Sequence, residues 1–283
     1  MDEALLDHAI EHLRRAGVGE PVRCKVCGGD TTMFDVVDFA KSCDPQLYPA
    51  GLAAVPVYYR RCSECGFIFT DFFDDFAPQQ WSAHLYNDDY YRAVDPAWAE
   101  QRPANNARAV DHLLRPYKRE VIGLDYGGGS GRTCQRLRDL GYAFDTYDPF
   151  GERSLTPEFA GRYNFCTAFE VAEHTPDPQG FVEAIVELAS KDRLAILIGT
   201  QVHDRLVSDA SRLSWWYAAP RNGHISIHSR RSMELLARHV GLDYTRLSDR
   251  THLFTRGWSA PEARWFLVRG KLVARLDRLA GRH

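Results

Sequence analysis

The chain has 283 residues, a formal net charge of −3 and 45% hydrophobic residues. That length holds one large domain, or a medium domain with a small one, and the composition is that of a globular protein. The charge gives no global field for nucleic acid, no apolar run approaches the roughly eighteen residues that span a bilayer, and Met1-Asp2-Glu3-Ala4-Leu5-Leu6 carries early acids where a secretory signal would not. The expectation is a cytoplasmic protein with no nucleic-acid partner and no transmembrane segment.

Leu5, Leu6, Ala9, Ile10 and Leu13 fall at helical spacing and predict a helix over residues 3–15. Two Cys-x-x-Cys pairs follow, Cys24 with Cys27 and Cys62 with Cys65. Each pair sets two thiols on one side of a tight turn, and together they supply four sulfur ligands for Zn²⁺. Four protein ligands leave no position for water or substrate, so the expected zinc is structural. Its binding would fold a segment otherwise too small for a good core. Disulfides are the alternative, disfavoured in a reducing compartment. The residues between the pairs must loop out. Cys43, Cys134 and Cys166 read as small buried hydrophobes, with Cys43 an alternative ligand. Val55–Cys62 reads as a strand feeding the second pair, and Phe67–Thr70 as the strand leaving it.

Residues 73–115 form a connector rich in aromatics and acids, with Trp81, Tyr86, Tyr90, Tyr91, Trp98 and Arg102. From 119 to 255 strands and helices alternate. Strands are expected over 121–125, 143–148, 164–169, 194–199 and 243–248, and helices over 131–140, 178–190 and 230–240. Such alternation implies a doubly wound, mostly parallel α/β sheet, which binds ligands beyond the carboxyl ends of its strands.

Asp125-Tyr126-Gly127-Gly128-Gly129-Ser130-Gly131 follows the first of these strands. Gly127, Gly129 and Gly131 let the backbone approach a ligand, and the helix N-terminus behind them favours an anionic group such as a carboxylate. The spacing is not a dinucleotide fingerprint, because Arg132 stands where a third glycine is needed. It is not a P-loop, because Gly131-Arg132-Thr133 lacks the lysine. A glycine-rich turn without a ligand is the other reading. Asp148 ends the second strand, where a carboxylate can accept both hydroxyls of a ribose, or else initiate a turn before Pro149. The strand from Tyr163 runs into a polar tip with Glu170, Glu173 and His174. Trp215-Trp216-Tyr217 precede Arg221-Asn222-Gly223-His224, and a helix opens near Ser229. Residues 261–283 hold six basic and two acidic residues, with Trp265, Val268, Leu272, Leu276 and Leu279 on one helical face. That face reads as packing on its own protein or a symmetry mate, or as a peripheral membrane contact.

These segments, in this order, resemble a class I S-adenosylmethionine (SAM)-dependent methyltransferase over roughly residues 116–255. The Asp125–Gly131 loop resembles the family's SAM loop, and Asp148 falls where its ribose-binding acid sits. Glu173-His174 resembles the "EH" after the fourth strand. Asn222-Gly223-His224 with the Ser-rich helix start resembles a late segment of a branch acting on sugars and other small metabolites. The chain departs from the pattern in two places. The stretch between Phe150 and the fourth strand is too short for a full third helix and strand, and the fourth strand opens Tyr163-Asn164 where Phe-Asp is usual.

The resemblance implies a Rossmann-like sheet with a small N-terminal zinc-ribbon-like domain. It implies SAM bound by Asp125, Gly127, Gly129, Gly131, Asp148 and Glu170, and zinc held by Cys24, Cys27, Cys62 and Cys65. The implied reaction is methyl transfer to a small-molecule biosynthetic intermediate, such as a sugar or sugar nucleotide, by in-line displacement. A hydroxyl acceptor needs a base, for which His224 and His174 are the candidates. A structural hydrogen bond at a loop is the other reading of each. Glu173 would steady the site's loop. Resembling enzymes often carry a tyrosine-bearing lid in the connector, a role for Tyr90 or Tyr91 unless these only pack. Trp215, Trp216 and Tyr217 would wall the substrate or join the core. The expected organisation is a helix and zinc segment over 1–72, a helical connector or lid over 73–115, a SAM-binding domain over 116–258 and a basic amphipathic helix over 259–283. An RNA methyltransferase gripping nucleic acid with the zinc segment, and a non-catalytic SAM-fold binding module, are the competing expectations.

Overall fold

A computed structural model describes residues 3–18, 21–48, 51–151 and 160–279. In chain order the main elements are α1 (Glu3–Val18), β1 (Thr31–Asp38), β2 (Pro56–Cys62), β3 (Ile68–Phe69), α2 (Pro78–His84), α3 (Gln101–Leu114), β4 (Ile122–Tyr126), α4 (Arg132–Asp139), β5 (Ala143–Tyr147), β6 (Phe165–Phe169), α5 (Pro178–Leu188), β7 (Leu194–Gly199), β8 (Ser226–Ile227), α6 (Arg230–His239), β9 (Asp243–Arg246), β10 (Thr251–Arg256) and α7 (Ala260–Leu279). The chain divides into two units. One comprises Met1–Pro96, Ala172–Gln179 and Gln201–Leu236, the other Ala97–Val171, Gly180–Thr200 and Ala237–His283. Neither is one stretch of chain, so the linear divisions at 72, 115 and 258 do not coincide with the unit boundaries.

The first unit is built on an antiparallel sheet of order β1-β2-β3-β8. The segment between the cysteine pairs does not merely loop out. It leaves as β1 and returns as β2, in register from Thr31↔Cys62 to Asp38↔Pro56, with a bulge between Met33 and Asp35. Alternation sets the faces: Val57 and Tyr59 on β2 are fully buried, while Pro56, Tyr58 and Arg60 beside them are not. These side chains join Phe34, Val37, Phe72, Phe73, Leu213, Tyr217, Ile225 and Ile227 in one apolar core, to which α1 adds Leu5 and Ala9. His8 and His12, on α1, bond the Phe72 carbonyl at 2.7 Å and the Asp71 carboxylate at 3.0 Å. The segment carrying the cysteine pairs therefore belongs to a unit with a substantial core of its own, against the expectation of a stretch too small to hold one.

The second unit carries a six-stranded sheet of order β5-β4-β6-β7-β10-β9. The first four strands are parallel, and β10 runs antiparallel to both β7 and β9. β7 (Leu-Ala-Ile-Leu-Ile-Gly) is buried throughout, as a central strand covered on both faces requires. Among the described residues no strand lies between β5 and β6, and residues 152–159 lie outside them. At the other end Arg115 bridges Asp111 and Asp277, its Nη2 donating to Asp277 Oδ2 at 2.8 Å. Tyr142 Oη adds a bond to Asp111 Oδ1 at 2.8 Å. The network ties α7 to α3, because a buried carboxylate is stable only when charge and hydrogen bonds satisfy it. Among the described residues no helix is long and apolar enough to cross a membrane.

Candidate functional site

In the second unit the glycine turn leaves β4 at the carboxyl edge of the parallel strands. The Gly127 N–H donates to the Tyr147 carbonyl at 2.7 Å, and the Gly129 N–H donates to Asp148 Oδ2 at 2.9 Å. The tip of β5 is thereby fastened to the loop. Asp148 Oδ1 also accepts the Phe150 N–H at 2.9 Å, which turns the chain after the strand. Gly127 has φ +71°, and a Cβ there would lie 2.5 Å from Val171 Cγ2, so no larger residue fits the turn. Val171 follows Glu170 at the end of β6. Glu170 itself is non-glycine at φ +55°, held by its N–H donating to the Gly199 carbonyl at 2.9 Å. The structure thus brings Gly127, Gly129, Gly131, Asp148 and Glu170 to one edge of one sheet. A cleft of about 510 Å³ opens there, lined by Gly129, Gly131, Gln135, Thr146 and Asp148.

Asp125 is placed differently. It lies beneath the turn, 3% exposed, with Oδ1 accepting the Thr167 hydroxyl at 2.5 Å. Burial pushes its carboxyl up to about 6, the Thr167 hydrogen bond opposes the rise, and the Asp148 charge adds to it. A carboxyl whose pKa is higher folded than unfolded takes up protons on folding, so its contribution to stability is present at low pH and lost as pH rises through about 6. Measured against Asp125→Asn by urea unfolding, wild type is expected to lose about 2 kcal/mol of relative stability between pH 4.5 and 7.5. A pH-independent difference between the two proteins would contradict the burial assignment.

In the first unit the two cysteine pairs form matching turns. The Gly28 N–H donates to the Cys24 carbonyl at 2.8 Å, and the Gly66 N–H to the Cys62 carbonyl at 3.1 Å. The Val26 and Cys65 N–H groups donate to Cys24 Sγ at 3.4 Å and Cys62 Sγ at 3.5 Å. The Ser63 N–H donates to the Asp30 carbonyl at 3.1 Å and joins the turns. The four sulfurs lie within 4.8 Å of one another, with Cys24–Cys65 at 3.6 Å and Cys27–Cys62 at 3.5 Å, and none is in a disulfide. The Cys24 thiol is pulled down to about 5, chiefly by its hydrogen bond with Cys65, and that same bond pushes Cys65 up. Burial pushes Cys27 up to about 11.

The first unit also gathers the histidines. Glu173 is fully buried, its Oε1 accepting the Tyr217 hydroxyl at 2.5 Å and its carbonyl accepting the Ile225 N–H at 2.9 Å. His174 Nδ1 lies 3.1 Å from the Gly223 carbonyl and 3.3 Å from the Tyr86 hydroxyl. His224 Nδ1 lies 2.7 Å from the Tyr217 carbonyl. A carbonyl only accepts, so both Nδ1 atoms carry hydrogen and Nε2 is the basic nitrogen of each ring. The rings meet edge to face, with centroids 5.0 Å apart. Gly223, at φ +80°, lies beside both; a Cβ there would lie 2.9 Å from the Tyr86 oxygen and 3.0 Å from His174 Nδ1.

For two members of this group the sequence shows the residue but not its place beside the histidines. Tyr86 sits in a connector full of aromatics, and Cys43 lies 181 residues from His224, yet its Sγ is 3.6 Å from His224 Nδ1. Cys43 is thus a neighbour of the histidine and is not among the clustered sulfurs, which corrects its reading as an alternative ligand. Cys134 and Cys166 are fully buried, as expected. Tyr90 is buried and Tyr91 is 40% exposed; Trp215 and Tyr217 join the core while Trp216 is 44% exposed.

A family model described as "Methyltransferase domain" matches residues 98–247, just over half of the chain. The chain belongs to this methyltransferase family, whose methyl donor is SAM. No curated protein matches it in sequence. Among solved structures it is similar to mitomycin 7-O-methyltransferase MmcR, at 12% identity and a TM-score of 0.44, covering 65% of this chain and 62% of that one. It is similar to the CMeT domain of the citrinin polyketide synthase, at 11% identity and a TM-score of 0.41, covering 64% and 59%. It is also similar to the PH0226 protein from Pyrococcus horikoshii OT3, at 11% identity and a TM-score of 0.40, covering 60% and 98%. The chain spans less than two thirds of the length of the first two, and likenesses at these scores decide nothing about substrate.

Proposed function

We propose that the protein transfers a methyl group from SAM to a small-molecule biosynthetic intermediate, such as a sugar or sugar nucleotide. The observation that carries the reading is the Asp148 carboxylate fastened to the Gly129 N–H at the carboxyl edge of a parallel sheet. Each oxygen there already accepts one backbone N–H and keeps acceptor capacity for a ribose hydroxyl. The absence of side chains on Gly127 and Gly129 leaves the backbone open to close approach. Asp148 offers a carboxylate in the cleft while Arg132 and Arg138 also line it, so a ligand carrying both a cationic and an anionic group finds partners there. When bound, SAM supplies a methyl group on a sulfonium, a leaving group that needs no further activation.

The chain's own residues would then align the acceptor and take its proton. His224 is the preferred base. Its Nδ1–H is engaged by the Tyr217 carbonyl, which fixes the ring and directs Nε2 away from that bond. His174, against the same ring, is the second candidate and a positioning partner. Glu173 holds Tyr217 and thereby the segment that carries His224.

The four cysteines suit a structural zinc. A ZnS₄ tetrahedron with Zn–S of about 2.3 Å has sulfur–sulfur edges of about 3.8 Å, close to the contacts described above. The function is tested by comparing metabolites from cells with and without the protein. The proposal expects a species gaining about 14 Da only where the protein is present, the CH₂ increment of methylation. Identical metabolite profiles with active protein in the cell would count against it.

A further inference from the structure

Helix α7 has two faces. Ala263, Phe266, Gly270 and Asp277 turn inward, with Phe266 in the core and Asp277 held by Arg115. On the opposite face Trp265, Val268, Leu272, Leu276 and Leu279 are between 47% and 78% exposed. At about 100° per residue these five fall in a single stripe some 21 Å long, a continuous apolar band where a surface helix ordinarily carries polar residues. The helix is not short of charge: Arg264, Lys271, Arg275 and Arg278 line one shoulder of the stripe, all exposed. Among the described residues none of the four pairs with an acid, although the chain as a whole is negative.

We propose that this face binds an anionic lipid surface. An amphipathic helix whose apolar stripe is edged by unpaired cations lies in a membrane interface, with its apolar side chains among the acyl chains and its cations at the headgroups. Trp265, at one end of the stripe, is a side chain suited to that boundary. The charge pattern disfavours a second copy as the occupant. Laid antiparallel, another α7 sets the cationic row against itself; laid parallel, it meets Arg269 and Glu262, whose charges cancel.

The test is co-sedimentation of the full chain with vesicles of phosphatidylcholine alone, or of phosphatidylcholine and phosphatidylglycerol in equal parts. Binding is expected to the mixed vesicles only and to weaken at high salt. Replacing Arg264, Lys271, Arg275 and Arg278 together by Gln is expected to weaken partitioning by more than about a hundredfold, at roughly fivefold per cation. Leu272→Glu with Leu276→Glu is expected to abolish it. All of these residues are exposed, so unaltered thermal unfolding serves as the folding control. Equal binding to both vesicles, or indifference to the substitutions, would overturn the proposal. So would a protein that binds neither vesicle. In that case sedimentation velocity separates a dimer disrupted by Leu272→Glu, which assigns the stripe to a second copy, from a monomer, which leaves it to another protein.

Discussion

Replacing Cys62 with serine is expected to release the zinc we assign to the first unit and to destabilise that unit by more than about 3 kcal/mol. Cys62 is both the end of β2 and one corner of the sulfur cluster. Its N–H bonds the Phe67 carbonyl at 2.9 Å and its carbonyl accepts the Gly66 N–H, so the whole second turn hangs on it. Other parts of the unit lean on the turns in their own right. His203 Nε2 bonds the Gly66 carbonyl at 2.7 Å, and Gln179 Nε2 the Val26 carbonyl at 3.0 Å. Against this stands the apolar core of Phe34, Val57, Tyr59, Phe72 and Ile227, which does not depend on metal. The loss is therefore expected to concentrate at residues 24–29 and 62–67. Metal analysis and hydrogen exchange check it: wild type should hold one zinc per chain and protect both turns, and the variant neither. A metal-free wild type with both turns protected would remove the zinc assignment.

His224→Asn is expected to lower the turnover of a hydroxyl acceptor by at least about a hundredfold, the usual scale for losing a positioned base. Asparagine keeps an N–H near the Tyr217 carbonyl, so the local hydrogen bond survives while the basic nitrogen is lost. SAM affinity should not change, because His224 belongs to the unit that lacks the glycine turn. Assays use the metabolite fraction that gains mass in the presence of the protein. A variant that turns over within about threefold of wild type would return His224 to a structural role and leave His174 as the base.

Sequence and structure agree where the signal is local. The short apolar runs at 122–126, 143–147, 165–169 and 194–199 carry their strand character in their own composition, and the turn from Asp125 to Gly131 is fixed by glycines within it. The same holds for the cysteine turns, whose two-residue spacing encodes their geometry. What sequence missed is non-local. β8 has two residues, too few to show any period, and it exists because Ile227 finds Ile68 on the expected strand β3 far along the chain. β10 was not foreseen as a strand; Thr-His-Leu-Phe-Thr-Arg reads as an ordinary half-apolar stretch until β7 and β9 flank it. The first unit likewise draws Ala172–Gln179 and Gln201–Leu236 from the middle of the methyltransferase region, an exchange no linear division could anticipate. The meeting of Tyr86, His174, His224 and Cys43 follows from that exchange, so their residue types were visible and their company was not.

The central claim, that the glycine turn and Asp148 hold SAM, is tested most directly by titration calorimetry of the full chain with SAM, alongside Asp148→Ala. Saturable binding to wild type at micromolar concentrations is expected, with affinity at least about tenfold weaker in the variant, which keeps its fold while losing the two backbone hydrogen bonds to Asp148. No heat of binding at millimolar SAM, or equal affinity in the two proteins, would contradict it.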